Sequence, residues 1–280
     1  MTTARELRDL LTGLGIHPSR RLGQNFMVDA NLLAALVRDA APGPGQRVLE
    51  VGPGTGVLTR LLLAAGCQVT AIELDHRLAA YLRESLGAQS EFRLIEGDAC
   101  RADYAGLFGT APFRCIANLP YSCSSVFLAA MADLDNAPTD LHVLLQREMA
   151  ERLGAAPGSK EYGALSVRLQ LRYSVRVVRS VPPQVFWPPP EVGSVWMRFV
   201  RHSEVVPAEL RRLAGELAGI AFSQRRKKAA KVLAERLGGA PVAGVLWARA
   251  GLSPEARAEQ FSPADFVRLA ACLQDQTSTY

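Results

Sequence analysis

The sequence predicts an open α/β sheet followed by a small all-helical domain, and two observations lead to this fold class. Apolar runs of strand length alternate with helical patterns over the first half of the chain, which is typical of βαβ units in a parallel sheet. Beyond residue 202 the strand patterns stop and only helical spacing remains. We therefore expect two domains, residues 1–202 and 203–280.

Composition limits the possible classes of protein. The 280 residues are 49% hydrophobic, which is ample for a buried core, and the net charge of +5 permits a polyanionic partner. No apolar run is long enough to span a bilayer, and the charged N-terminus lacks a secretory apolar region, so we expect a cytoplasmic location. The five cysteines and four histidines are widely scattered, which indicates neither a disulfide framework nor a metal site.

The N-terminal segment predicts a helix, an irregular stretch and a second helix. Leucines at helical spacing indicate a helix across residues 3–14. Residues 17–27 are basic and irregular. Asp29 can cap a helix over residues 31–40, which the Pro-Gly-Pro-Gly run at 42–45 ends.

A βαβ unit follows, with a glycine loop after its first strand. Residues 47–51 and 68–73 read as buried strands, and the loop Gly52-Pro53-Gly54-Thr55-Gly56 precedes a helical run. The glycines let the backbone approach a ligand, and Glu73 at the end of the second strand can accept both hydroxyls of a ribose. Val57 stands where the dinucleotide fingerprint requires a small residue, so the spacing disfavours a hydride-transfer enzyme.

Two further strands bring polar residues to the same sheet edge. Residues 92–96 lead to Asp98, which can accept a hydrogen bond from an adenine amino group or cap the next turn. Residues 113–117 lead to Asn118-Leu119-Pro120-Tyr121. Ligands bind at the carboxyl ends of such strands, and an amide beside an aromatic ring suits a planar ligand with an exocyclic amine. An ordinary strand-to-helix turn remains the alternative for this tetrad.

The second half of the chain mixes both kinds of element before it becomes helical. Strands are predicted at 140–146, 174–181 and 195–200, and helices at 147–153, 165–171, 207–221, 228–237 and 266–273. Residues 181–194 are too rich in proline for either element, and either a wall of the substrate cleft or a plain crossover fits them.

A dense run of cations lies in the helical region. Its members, with no interleaved acid, are Arg225, Arg226, Lys227, Lys228 and Lys231. Arginine and lysine side chains bind nucleic acids through phosphates, so the run favours an RNA or DNA partner over a merely solvated helix face.

Taken in order, these stretches resemble the KsgA/RsmA family of small-subunit ribosomal RNA adenine dimethyltransferases. The resemblance covers most of the chain, and the glycine loop alone already resembles that of S-adenosylmethionine-dependent methyltransferases. The motifs are Gly23-Gln24-Asn25-Phe26, Glu50-Val51-Gly52-Pro53-Gly54-Thr55-Gly56, Gly97-Asp98-Ala99, Asn118-Leu119-Pro120-Tyr121, Gln146-Arg147-Glu148, Tyr162-Gly163-x-Leu165-Ser166-Val167, Pro188-Pro189-Pro190-x-Val192 and Phe222-x-x-Arg225-Arg226-Lys227.

The resemblance implies a Rossmann-like methyltransferase sheet and a defined reaction. S-adenosyl-L-methionine would donate methyl groups to N6 of two adjacent adenosines near the 3′ end of 16S ribosomal RNA, during small-subunit maturation. The partner would be ribosomal RNA in the immature small subunit. We expect a monomer that needs neither a metal ion nor a membrane.

The resemblance also implies roles for individual residues. Cofactor binding would fall to Gln24, Asn25, Met27, Gly52, Gly54, Glu73, Asp98 and Asn118. The catalytic residues would be Asn118, Leu119 and Tyr121. RNA binding would involve Arg225, Arg226, Lys227 and Lys228.

For the reaction itself, we expect the Asn118 side-chain oxygen and the Leu119 carbonyl to accept hydrogen bonds from the adenine N6. Tyr121 would stack on one face of the base, with Phe186 or Trp187 on the other.

The chain departs from the family pattern twice. Met27 replaces the usual leucine, a swap that conserves volume, and Gly193 stands where an aspartate is common.

Two other classes of function compete with this interpretation. One is an Erm-type methyltransferase of large-subunit RNA, although its basic-helix region would be expected to differ from the motif at residues 222–227. The other is a non-catalytic ribosome-assembly or transcription factor on the same fold, which the set Glu73, Asp98 and Asn118 disfavours.

Overall fold

The computed structural model describes residues 3–19, 22–203 and 206–277. The chain forms two compact units, and it passes between them more than once. The first unit contains the residues up to Ala150 together with Arg176–Val200, and the second contains Glu151–Val175 together with the residues from Arg201 onward. The predicted division at residue 202 corresponds to the last of these crossings. Residues 151–175 join the helical unit because Tyr162 and Val167 belong to its buried core.

The first unit is built on a seven-stranded sheet. The strands of the chain are β1 Phe26–Met27, β2 Arg47–Val51, β3 Gln68–Glu73, β4 Phe92–Glu96, β5 Arg114–Asn118, β6 Asp140–Gln146, β7 Tyr173–Val181, β8 Phe186–Trp187 and β9 Ser194–Arg201. The order in the sheet is β4-β3-β2-β5-β6-β9-β7. Strands β2 to β6 pair in parallel, and β9 is antiparallel to β6.

Short polar caps begin several helices of the first unit. Asp29 accepts a hydrogen bond from the Leu32 amide at 2.9 Å, which confirms the predicted cap, and Asp75 caps α4 in the same way. The helices are α1 Ala4–Gly13, α2 Ala30–Ala40, α3 Val57–Ala64, α4 His76–Leu86, α5 Tyr104–Phe108, α6 Ser124–Asp133 and α7 Arg147–Gly154, which continues into the second unit.

The proline-rich stretch is more regular than predicted. Its residues 186–187 form strand β8, which pairs antiparallel with β1, and the Val28 amide donates to the Val185 carbonyl at 2.8 Å. Because Phe186 and Met27 are both buried, apolar burial stabilises this two-residue ladder despite the neighbouring prolines. The stretch is therefore joined to the N-terminal segment.

The second unit is helical around a core that includes Leu217, Trp247, Phe261 and Phe266. Its remaining helices are α8 Ala164–Gln170, α9 Ala208–Ser223, α10 Ala229–Leu233, α11 Ala240–Arg249 and α12 Pro263–Thr277. Helix α10 is shorter than predicted, and α11 is not predicted at all. Gly238 and Gly239, both at positive φ, separate these two helices. Within the described residues, no helix has the length and apolar character needed to cross a bilayer.

Candidate active site

A cleft opens in the first unit at the carboxyl ends of its parallel strands. It is lined by every residue that was assigned to the cofactor or to catalysis: Gln24, Asn25, Met27, Gly52, Gly54, Glu73, Asp98, Asn118, Leu119 and Tyr121. The four residues assigned to RNA lie instead in the second unit. The sheet thus brings together side chains that are nearly a hundred positions apart in sequence.

The glycine loop packs directly against the tetrad. Gly52 follows β2 with a φ of 66°, and its amide donates to the Ile72 carbonyl at 2.9 Å. A Cβ atom at Gly52 would lie 2.6 Å from Cγ of Pro120, so no larger residue fits without moving the proline. Glycine at this position therefore lets the glycine loop contact the tetrad, in addition to allowing close approach of a ligand.

Glu73 is a buried acceptor at the end of β3. Its Oε2 accepts from the Gly54 amide at 3.0 Å and its Oε1 from the Asp75 amide at 2.9 Å. Burial raises the pKa of this carboxyl, while the two backbone hydrogen bonds oppose that rise. Each oxygen retains a second lone pair, so the carboxylate is held in place and can still accept ribose hydroxyls.

Glu50 also lines the cleft, and no role was predicted for its side chain. It is 1% exposed, and the Thr59 hydroxyl donates to it at 2.7 Å. Burial, opposed by the Thr59 hydrogen bond and assisted by the charge of Glu73, raises its pKa to about 8. The signal in the sequence is an acid near the end of a buried strand, directly before the glycine loop.

Asp98 makes the capping contact that its position left open, and its role toward a ligand stays a prediction. Its Oδ1 accepts from the Cys100 amide at 2.8 Å, which is the capping alternative. Its Oδ2 lies 3.8 Å from Arg101 Nε in a partly exposed ion pair. Because Asp98 lines the cleft and Oδ2 has no closer partner among the described residues, one oxygen shapes the turn and the other is available to a ligand.

The N-terminal segment lies against the tetrad. The Gln24 side chain accepts from the Ser19 amide at 2.9 Å and donates to Asp75 at 3.2 Å, so its polar atoms hold the segment in place. Gly23 has a φ of 66°, and a Cβ there would lie 2.9 Å from the Tyr121 nitrogen. The Asn25 carbonyl accepts a hydrogen bond from the Asn118 side chain at 3.2 Å.

This last contact fixes the orientation of the Asn118 amide. Because Nδ2 donates to a carbonyl, the side-chain oxygen is the end that remains for a ligand, and no donor among the described residues reaches it. Leu119 lines the cleft although the residue as a whole is only 1% exposed, and its carbonyl accepts no hydrogen bond from any described residue. Pro120 contributes no N–H to fill either acceptor. The tetrad thus offers two acceptors at the cleft.

Tyr121 is anchored through its hydroxyl, which lies 2.6 Å from Oγ of the fully buried Ser194. Burial raises the pKa of this phenol. The contact with Ser194 holds the ring beside the cleft. The expected second stacking partner is corrected by the structure. Phe186 is buried in the core of the sheet, Trp187 packs with the residues around α1, and neither lines the cleft.

Some of the cations in the basic run have partners within the protein. Arg225 donates to Glu259 at 2.8 Å and to the Ser159 carbonyl at 3.1 Å, and Lys228 forms an ion pair with Glu255. The predicted absence of acids holds for the run itself, but acids from a later segment fold back onto it. The side chains that are exposed and lack a partner within the described part of the chain are Arg226, Lys227 and Lys231.

A parallel sheet with a glycine loop, acids after successive strands and an Asn-Leu-Pro-Tyr turn defines an S-adenosylmethionine-dependent methyltransferase. The buried Glu73 acceptor and the glycine loop fit such a cofactor. The model of the ribosomal RNA adenine dimethylase family matches residues 17–275, and the chain belongs to this family.

Relatives and solved structures agree with this assignment. The ribosomal RNA small subunit methyltransferase A of Leifsonia xyli is 40% identical over 95% of this chain and 96% of its own length. The fold resembles that of a dimethyladenosine transferase from Plasmodium falciparum, with a TM-score of 0.73, 23% identity and coverage of 87% and 95% of the two chains. The 23S rRNA methyltransferase ErmE gives a TM-score of 0.64 at 25% identity, covering 89% and 100%.

Proposed function

We propose that this enzyme transfers methyl groups to N6 of two adjacent adenosines near the 3′ end of the small-subunit ribosomal RNA, giving N6,N6-dimethyladenosines. Its partner is the immature small ribosomal subunit in the cytoplasm, and it acts as a monomer without a metal ion. The observation that supports the proposal is the oriented Asn118 amide. Neither its oxygen nor the carbonyl of the next residue, Leu119, accepts a hydrogen bond from a described residue.

Two unfilled acceptors on consecutive residues match the two hydrogens of an adenine amino group. The N6 lone pair is delocalised into the ring, so the nitrogen is a poor nucleophile. Hydrogen bonds from its hydrogens to Asn118 Oδ1 and to the Leu119 carbonyl favour a more pyramidal nitrogen with its lone pair directed into the cleft. Positioning and electrostatics then provide most of the rate enhancement. The proton on N6 becomes acidic once the nitrogen bonds carbon, so no strong base is required.

Other side chains divide the binding of the cofactor. When bound, S-adenosyl-L-methionine supplies a methyl group on a positively charged sulfur. Glu73 accepts the ribose hydroxyls and Asp98 the adenine amino group, while Gly52 and Gly54 let the loop approach. Asn25 and Met27, which line the cleft, would contact the cofactor from the N-terminal segment.

Tyr121 is proposed to stack on the target adenine after the base leaves the RNA helix. An enzyme that acts on a base must remove it from its stack, and an anchored aromatic face compensates for the lost stacking. The hydrogen bond to Ser194 supports this role because it keeps the ring from rotating away.

The test is to incubate the protein with labelled S-adenosylmethionine and either immature small or large ribosomal subunits, and then to map the methylated nucleotides. We expect label on two adjacent adenosines near the 3′ end of the small-subunit RNA only. Label confined to the large subunit would contradict the proposal and favour an Erm-type specificity. Absence of label from both would favour a non-catalytic assembly factor.

A further inference from the structure

Arg147 lies beside the tyrosine side of the cleft, at the carboxyl end of β6. It follows Gln146, which is paired with Ser194, and its amide donates to the Gly193 carbonyl at 3.0 Å. Ser194 in turn contacts the Tyr121 hydroxyl at 2.6 Å. A short chain of direct contacts therefore links Arg147 to the aromatic ring that is proposed to hold the target base.

The guanidinium of Arg147 is exposed and has no carboxylate partner among the residues that the structure describes. Three other arginines of the first unit are paired with carboxylates: Arg114 with Asp140 at 2.7 Å, Arg179 with Asp39 at 2.9 Å and Arg83 with Glu96 at 3.1 Å.

Arg47 and Arg93 are also exposed and unpaired within the described ranges, but they begin β2 and β4. They therefore lie at the amino ends of the parallel strands, whereas ligands bind at the carboxyl ends. Position at the ligand edge distinguishes Arg147 from these two cations.

Gly193 explains why this cation is free. A Cβ atom built on Gly193 would lie 3.5 Å from Nη2 and 3.7 Å from Nε of Arg147, so an acidic side chain at this position would reach the guanidinium. The sequence has glycine where the family pattern often has aspartate. In this chain the charge is consequently available to a ligand.

We infer that Arg147 binds a phosphate of the RNA strand next to the target adenosine. When the base enters the cleft against Tyr121, its sugar and phosphates remain outside, on the side where Arg147 lies. A guanidinium matches phosphate oxygens through paired N–H donors and remains charged in proteins. Such a contact fixes the register of the strand without reading its sequence. The inference rests on the proposed function of the cleft.

The experiment measures the Kd for unmethylated small ribosomal subunits across a salt titration. We expect Arg147→Gln to weaken binding about tenfold, as for the loss of one charged hydrogen bond, and to lower the salt slope by about one. Gly193→Asp should give the same loss by pairing the guanidinium, and the double variant should lose no more than either single variant.

Two controls match these variants. Gly193→Asn adds nearly the same volume without charge, and Arg47→Gln removes an exposed cation from the opposite end of the sheet. Both should bind like the wild type. Unchanged affinity and salt slope in Arg147→Gln and Gly193→Asp would overturn the inference.

The assay measures binding and not methyl transfer. A negative result for Arg147 can therefore be distinguished from failure of the proposed function. The proposed function fails if the wild-type protein methylates no small-subunit RNA. A wild type that methylates this RNA, together with an Arg147→Gln variant that binds it normally, would leave the function intact and remove only the phosphate contact.

Discussion

The cleft and the basic run differ in what holds their polar side chains. In the cleft, carboxylates accept hydrogen bonds from backbone amides of nearby turns, as Glu73 does from Gly54 and Asp75. In the basic run, the partners are acidic side chains from a later segment, as Glu259 is for Arg225. Backbone donors leave each carboxylate with free lone pairs, whereas an ion pair uses the charge that a phosphate would need.

The cleft is therefore a site whose acceptors are already oriented, whereas the basic run is a surface whose charge is partly neutralised by ion pairs. The cleft acceptors are already oriented, which lowers the cost of ordering them when ligands bind. In the basic run only Arg226, Lys227 and Lys231 are exposed and unpaired within the described residues, so these three carry the charge available to RNA.

Replacing the central acceptor of the cleft should have the largest effect. Asn118→Ala removes the oxygen that is proposed to contact N6, and we expect methyl transfer to fall about 10³-fold, the loss typical of a preorganised catalytic hydrogen bond. S-adenosylmethionine affinity, measured by calorimetry, should change little.

The matched control for Asn118 is Asn136→Ala. The Asn136 amide also donates to backbone carbonyls, those of Gly109 and Ala111, but it lies outside the cleft. Near-normal turnover in Asn118→Ala would show that the oriented amide is not used in the reaction.

Glu50 should make the stability of the ligand-free protein depend on pH. Its pKa rises from an ordinary 4.5 to about 8 on folding, so the folded state binds the proton more tightly than the unfolded state. Its stabilising contribution is therefore complete below pH 4.5 and is lost as pH rises through 8. The free energy of unfolding should fall by about 1.4 kcal/mol per pH unit in this window.

Glu50→Gln should remove most of this dependence, as measured by denaturant unfolding between pH 5 and pH 8. The pH dependence that remains comes from Glu73, because burial also raises the pKa of that carboxyl. Glu91→Gln, at an exposed acid, serves as the control and should leave the slope unchanged. Parallel curves for the wild type and Glu50→Gln would contradict the buried, protonated state of this group.

The smallest effects are expected for the basic run. They should differ between its unpaired cations and those that already form an ion pair. Arg226→Gln and Lys227→Gln should each weaken binding of small subunits about tenfold or less and lower the salt slope by about one. Arg225→Gln should leave the slope nearly unchanged, because its charge is already paired with Glu259.

Thermal unfolding completes the comparison of these cations. Arg225→Gln should lower stability by no more than about 1 kcal/mol, because the ion pair is partly exposed. Equal salt slopes for the Arg225 and Arg226 variants would show that the internal ion pair opens when RNA binds.

Much of the cleft could be predicted because strand ends are local features. An apolar run followed by an acid or by Asn-Leu-Pro-Tyr fixes both the strand and the residue at its carboxyl end, and parallel pairing then brings Glu73, Asp98 and Asn118 to one edge. The glycine loop was predictable for the same reason. Its contact with Pro120 was not, because that contact depends on how two loops pack.

Features set by residues distant in sequence could not be predicted. The pairs of Arg225 with Glu259 and Lys228 with Glu255 need the fold of the helical unit. The buried environments of Phe186 and Glu50 depend on the completed sheet and loops, whereas their sequence neighbours indicate only an aromatic residue in a proline loop and an acid in a strand.

The hydrogen bond between the Asn25 carbonyl and Asn118 has a consequence for the N-terminal segment. A side-chain amide has two ends of nearly equal shape, one a donor and one an acceptor, and only the acceptor end complements an amine. The Asn25 carbonyl determines which end of the Asn118 amide is left for a ligand in the cleft. A protein shortened past residue 25 would retain Asn118 but lose the carbonyl that orients its amide. In part of the population the Asn118 NH₂ group would then face N6, and two donors would repel each other.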